Sequence, residues 1–366
     1  MKQSHELAGI EVLRFICAFS VLLWHYQHFF FTGAAVETVA ASIRDTIPMY
    51  ALFRPFYEYG FAAVPVFWVI SGFIFYRQYA EFVNKGSVGF LDFAFRRFSR
   101  LYPLHFVTLL LVALGQYIYF MSHGETFIYS DNSGVAFTYQ LYLASNWFLW
   151  EHHSFNEPIW SVSVEILIYV AFFGVMRTLG PNAIVALLAS VISWLLTRSH
   201  LTGILSPMVL SCGVYFFAGG AVQKLCKHRV ALWLAGCIAV VTLVLLALHI
   251  YDLNIKSVLA LAVSAVAFFS LLDGTRAGSV MRRFSFLGNA TYSSYLLHFP
   301  LQLFIVIILD RLGLSRSLFF HPIALFAYLA AVIGISLAVY GFFERPAQDW
   351  VRNGLKRWIK RAPQPS

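Results

Sequence analysis

Arg14 and His25 stand eleven positions apart in one apolar helical run, LRFICAFSVLLWHY, residues 13–26. Eleven residues make about three helical turns, so both side chains leave one face, roughly 16 Å apart along the axis. An arginine inside lipid costs at least ~2.5–3.5 kcal/mol and requires a partner, a cavity or a route to the headgroups. Histidine, with an unperturbed pKa near ~6.5, suits removal of a hydroxyl proton at neutral pH. A second run, EPIWSVSVEILIYV (residues 157–170), carries Glu165 one to two turns inside its apolar stretch. A carboxylate there must be paired, protonated or wet. Glu165 and His25 both fall toward the outer ends of their runs, so they can meet, the carboxylate orienting the ring. The plainer alternatives are that Arg14 and His25 snorkel and that Glu165 answers its helix dipole.

Four further patterns are chemically suggestive. Arg97 and Arg100, in FAFRRFSRLYPLH, share a helical face at the inner membrane edge. A pair of guanidinium groups there suits phosphate, although ordinary positive-inside flanking explains it too. Ser71-Gly72 in PVFWVISGFIFYRQ permits close helix packing or passage of a ligand arm along the backbone. His298 lies deep in ATYSSYLLHFP, as a catalytic-site or a buried structural histidine. Glu344 and Arg345 close the last apolar run and can pair with each other. The His152-His153 pair beside Glu151 lacks a third ligand at metal-binding spacing, and no HExxH, GxSxG or phosphate-loop pattern occurs.

The elements that must position these residues are membrane helices. Of 366 residues, 60% are hydrophobic and 12% charged, and the mean hydropathy is +0.71. A soluble fold would leave far too much apolar surface exposed. Runs of about 20 apolar residues predict an all-α, polytopic membrane protein with about ten spans: 8–30, 58–80, 101–121, 159–178, 182–198, 206–223, 230–250, 254–272, 289–309 and 322–343. The run 135–149 reads as an interfacial or re-entrant piece. With both termini cytoplasmic, nineteen of the 26 Lys and Arg fall inside. Six fall outside (Arg44, Arg54, Arg198, Lys256, Arg311, Arg316), and Arg14 lies within a span. Residues 1–350 form the expected membrane domain and 351–366 a basic cytoplasmic tail on lipid headgroups. Cys17, Cys212, Cys226 and Cys237 read as core thiols without a disulfide framework. The first span is long, contains Arg14 and lacks a small-residue cleavage site, unlike a secretory signal. The net charge of +9 fits anionic lipid and anionic ligands, and no nucleic-acid module is present.

Taken together, the chain resembles the family-3 membrane acyltransferases along nearly its whole length. The resemblance rests on Arg14 and His25, the aromatic run into Ser-Gly-Phe (Phe67–Phe73) and Arg97-x-x-Arg100 before Tyr-Pro. It rests also on Trp160-Ser-x-Ser163-x-Glu165, Tyr292 to Pro300, and Glu344-Arg345-Pro346. Three positions depart from the pattern: Trp68 stands where a second phenylalanine is expected, Pro65 replaces an acidic residue, and Ile166 replaces a second glutamate.

The resemblance implies transfer of an acyl group, acetyl by default, from cytoplasmic acyl-CoA to a hydroxyl of a carbohydrate or glycolipid. It implies acyl-CoA as donor substrate rather than a resident cofactor, and a bacterial cytoplasmic membrane as location. In that scheme Arg97 and Arg100 take the donor phosphates, and Arg14 and Ser71 line the path of its arm. His25 is the base, supported by Glu165, or first carries the acyl group itself. Trp160, Ser163 and His298 face the acceptor. A transporter or flippase for a small anion or lipid-linked sugar would use the same buried charges. It would move its substrate unchanged, whereas a transferase releases free CoA.

Overall fold

Apolar residues recurring through long helical runs produce a bundle of helices whose outward faces are themselves apolar. The computed structural model describes residues 7–30, 46–148, 153–199, 204–225, parts of 234–244, and 254–361. The principal helices are α1 (Ala8–Tyr26), α2 (Tyr50–Tyr59), α3 (Ala63–Gln78), α4 (Phe90–His123), α5 (Trp160–Leu179) and α6 (Ala183–Ser199). They continue with α7 (Pro207–Leu225), α8 (Ile255–Leu271), α9 (Thr291–Arg311), α10 (Pro322–Val339) and α11 (Arg345–Arg361). Among the described residues there is no strand, only an isolated bridge between Phe148 and Leu205.

Among the described residues, seven helical stretches are long and apolar enough to cross a membrane: Ala8–Phe30, Tyr50–Gln78, Phe90–His123, Glu157–Leu179, Pro207–Leu225, Thr291–Arg311 and Pro322–Gly354. Two more apolar helices, α6 and α8, have 17 residues each. The expectation of about ten spans therefore stands at seven long helices and two shorter ones among the described residues. The expected span 230–250 falls largely outside them. Large apolar side chains such as Ile184, Leu188 and Ile192 on α6 stay exposed, as a lipid-facing surface requires.

Several boundaries differ from the sequence reading. Helix α4 starts at Phe90, well before the expected span 101–121, and an Asp92–Arg96 pair at 3.0 Å supports its charged first turns. Arg97 and Arg100 therefore project from the helix itself. The 135–149 run holds only an eight-residue helix, Gly134–Leu141, capped by Ser133 and too short to span. Helix α10 passes through a π-turn, Tyr340–Glu344, into α11, which runs continuously across residue 350. Glu344 does not pair with Arg345 as the sequence allowed. The π-turn directs its carboxylate to the Ser293 hydroxyl, which donates to it. Cys17 and Cys212 are buried but Cys237 is exposed, so the core-thiol expectation fails for Cys237. Cys226 lies outside the described residues.

Small residues set the closest helix crossings. A Cβ on Gly72 of α3 would overlap the Phe216 carbonyl of α7, and one on Gly219 of α7 would overlap the Val69 carbonyl of α3. The two backbones thus touch at reciprocal glycines, the close approach that small residues permit between membrane helices. We expect Gly72→Val to push α3 and α7 apart and to cost about 1–3 kcal/mol or more. A lower unfolding midpoint of the lipid-embedded protein checks this; an unchanged midpoint rules the crossing out as a stability determinant.

Candidate active site

Helix α1 reaches from one end of the bundle to the other, and its residues join two packed clusters. Leu13, Cys17 and Val21 pack in one with α3, α5 and α7. Leu22, Tyr26 and Phe29 pack in the other with α9 and α10. Its first turn is fixed from outside, since the Gly9 N–H donates to Asp273 Oδ1 at 3.2 Å. Arg14 therefore opens into a cavity at one end and His25 into a second cavity nearer the other.

The arginine-end cavity has a volume of about 210 Å³ and is lined by Arg14, Ser71, Arg97, Arg100, Glu165 and Tyr169, among others. Arg14 is held by Glu11, three residues earlier, at 2.8 Å. The Arg97 guanidinium donates to the Tyr79 hydroxyl. Its plane lies over two rings, 4.8 Å from the centre of Phe75 and 4.9 Å from that of Tyr79. Aromatic stacking of this kind fixes a guanidinium while leaving some N–H groups to spare, and the buried Arg97 Nε has no partner among the described residues. The Ser71 and Tyr169 hydroxyls face the Glu165 carboxylate, with Arg97 and Arg100 close enough to be felt electrostatically. Glu165 Oε1 is buried without a hydrogen-bond partner among the described residues. This cavity offers cations for phosphate at one end and hydrogen-bonding groups for an extended arm along its length.

The histidine-end cavity is larger, about 790 Å³, and is rich in rings, including Trp24, Phe61, Tyr129, Trp160 and Tyr215. His25 Nδ1 donates to the Val21 carbonyl at 3.1 Å. A carbonyl only accepts, so the proton sits on Nδ1 and Nε2 keeps its lone pair. The His298 ring lies 4.7 Å from the His25 ring. His298 Nδ1 donates to Ser294 O at 3.2 Å, and its buried Nε2 has no partner among the described residues. His28 lies 4.9 Å from His25, its ring also tilted against it. Gln302 ties the group together: its Nε2 donates to the His25 carbonyl at 2.8 Å. Its Oε1 takes the Nδ1–H of His28 at 3.2 Å. Among the described residues, no trio of His, Cys, Asp or Glu is placed to hold a metal ion. The rings instead form a cluster of imidazoles, one of which, His25, opens on the cavity.

Arg14, Ser71, Arg97, Arg100 and Glu165 thus come together in one cavity. His25 and Trp160 line the other; His298 lines neither, being fully buried with its ring tilted against that of His25. Three expectations do not hold, the first being that His298 faces the acceptor, since it is buried away from both cavities. Glu165 does not meet His25, because the indole of Trp68 stands between their cavities and lines both. Ser163 faces neither: its hydroxyl is shared between the Leu143 and Ser145 carbonyls, at 2.6 and 2.7 Å. It fastens the loop after Gly134–Leu141 to α5.

His28, Gln302 and Tyr169 were given no role in the sequence reading, and Tyr295 appeared there only inside the Tyr292 to Pro300 motif, yet each has a helical signal. His28 follows His25 by three, Gln302 follows His298 by four, Tyr169 follows Glu165 by four, and Tyr295 precedes His298 by three.

A family model described as an acyltransferase domain matches residues 7–341. No curated protein and no solved structure matches the chain.

Proposed function

The chain belongs to acyltransferase family 3, and from that premise we propose that it moves an acyl group, acetyl by default, from cytoplasmic acyl-CoA to a hydroxyl of a carbohydrate or glycolipid at the outer face of a bacterial cytoplasmic membrane. The observation that carries this reading is the pair of cavities, one cationic and one aromatic with a basic imidazole, separated by a wall of only three shared residues, Val64, Trp68 and Tyr295. A donor entering the first and an acceptor in the second would face each other across it.

In this reading the donor phosphates rest on Arg97 and Arg100. The pantetheine arm runs past Arg14 and Ser71, and its amide N–H groups find the open Glu165 Oε1. The acceptor sugar stacks on Trp160, and His298, buried behind His25, packs against the imidazole that faces it. His25 Nε2 takes the proton of the attacking hydroxyl. The acceptor oxygen forms a C–O bond to the acyl carbon, the C–S bond breaks, and the proton passes from His25 to the departing CoA thiolate. In a two-step variant His25 Nε2 itself first takes the acyl group. Either way the products are an ester and free CoA.

The test is thiol release from acetyl-CoA by the purified protein in lipid, with and without membrane glycan extract. Extract-dependent release, with the acyl label recovered on glycan, is the expected result. No release with any acyl-CoA sinks the reading.

A further inference from the structure

We propose that Trp68 sets the upper size of the acyl group this protein transfers. The inference rests on the acyl-transfer reading above and deepens it.

Whatever passes between the donor and acceptor cavities must pass the wall they share, and Trp68 is its largest member. The indole cannot swing aside cheaply. Its N–H donates to the Ser161 carbonyl at 3.2 Å, and its ring meets Trp160 edge-on at 5.9 Å and Tyr215 at 6.0 Å. Tyr295, on the same wall, is anchored to the same residue, its hydroxyl 2.7 Å from Ser161 Oγ. Two of the three wall residues are therefore pinned to one turn of α5, and Val64 is the only aliphatic one. Trp68 is 3% exposed, so the ring fills its site with little slack. It is also the position at which the chain departs from the phenylalanine expected in its motif. Indole in place of phenyl narrows the junction where the acyl carbon must meet the acceptor oxygen.

A rigid wall discriminates by steric exclusion. One methylene too many in a fitted apolar site changes kcat/KM by about 10–200-fold. An acetyl group would clear the partition, and a butyryl group, two methylenes longer, would press its tail on the indole.

The experiment compares kcat/KM for CoA release from acetyl-, propionyl- and butyryl-CoA, using the full-length protein in lipid with glycan extract. The wild type is expected to favour acetyl over butyryl by about 100-fold. Trp68→Phe is expected to raise the butyryl-to-acetyl ratio about tenfold. Val64→Ala enlarges the junction from another residue of the same wall and should move the ratio the same way, so it decides the matter should Trp68→Phe fail to fold. Equal use of all three donors by the wild type overturns the proposal. So do unchanged ratios in the folded variants, and both results leave acyl transfer standing. A wild type that releases CoA from none of the three brings down the transfer reading and this inference with it.

Discussion

Replacing His25 by alanine is expected to abolish acyl transfer while leaving acyl-CoA binding within about twofold of wild type. A positioned general base contributes about 10²–10⁴ in rate, and the proposed role of His25 rests on the arrangement around it. Its Nδ1–H is committed to Val21 O, its backbone carbonyl is held by Gln302, and the rings of His28 and His298 are tilted against its own. What remains uncommitted is Nε2, on a side chain that lines the larger cavity. Donor binding should survive, because none of the charged groups of the arginine-end cavity touches His25. The measurement is kcat by CoA release beside equilibrium binding of acetyl-CoA. Normal turnover in His25→Ala would falsify the assignment of base or acyl carrier to this residue. Loss of binding along with turnover would point to collapse of α1.

Neutralising Arg97 and Arg100 together, as glutamines, should raise the KM for acyl-CoA by about 100-fold or more. Each charge-assisted hydrogen bond contributes about 1.5–3 kcal/mol, a factor of about ten or more apiece. The change should fall mainly on KM, since both side chains lie across the Trp68 wall from His25. It should also flatten the rise of KM with salt, because screened attraction between guanidinium and phosphate is what salt weakens. Arg97 is the better prepared of the two. Its stacking on Phe75 and Tyr79 pre-orders the group, so less entropy is lost on binding. An unchanged KM in the double variant would return both residues to the role of charges that orient the chain in the membrane.

Much of this site is legible along single helices and little of it between them. Arg14 and His25 are eleven residues apart on one helix, and arithmetic alone puts them on one face at separate depths. Arg97 and Arg100 share a face for the same reason, and Gly72 marks a close crossing because only a small residue allows one. Across helices, periodicity says which face is apolar but not which neighbour it meets. Glu165 and His25 were expected to pair because both fall near the same ends of their spans. The structure instead puts Glu165 in the arginine-end cavity and His25 in the other, with Trp68 lining both, and nothing in the run PVFWVISGF says that its indole turns between two cavities. Ser163 failed differently. A serine in an apolar run signals a polar need without naming it, and here the need is two loop carbonyls. Glu344 found Ser293 instead of its neighbour Arg345 because a π-turn rotates the helix face at that point. Such an irregularity has no signature in the hydrophobic pattern.

The uninterrupted course of α1 from Ala8 to Tyr26 makes the helix a ruler. The distance between the cation at one end and the imidazole at the other is stored as a residue count, eleven steps from Arg14 to His25, at about 1.5 Å each. A substitution on the outer surface of α1 leaves that length untouched. Inserting one residue would lengthen it by only about 1.5 Å but turn His25 by about 100°, away from its cavity and from Gln302. The reach of any substrate arm that must pass one residue and react at the other is thus fixed by chain arithmetic. Exposed side chains along α1 can change with little effect on that reach, while the number of residues between Arg14 and His25 cannot.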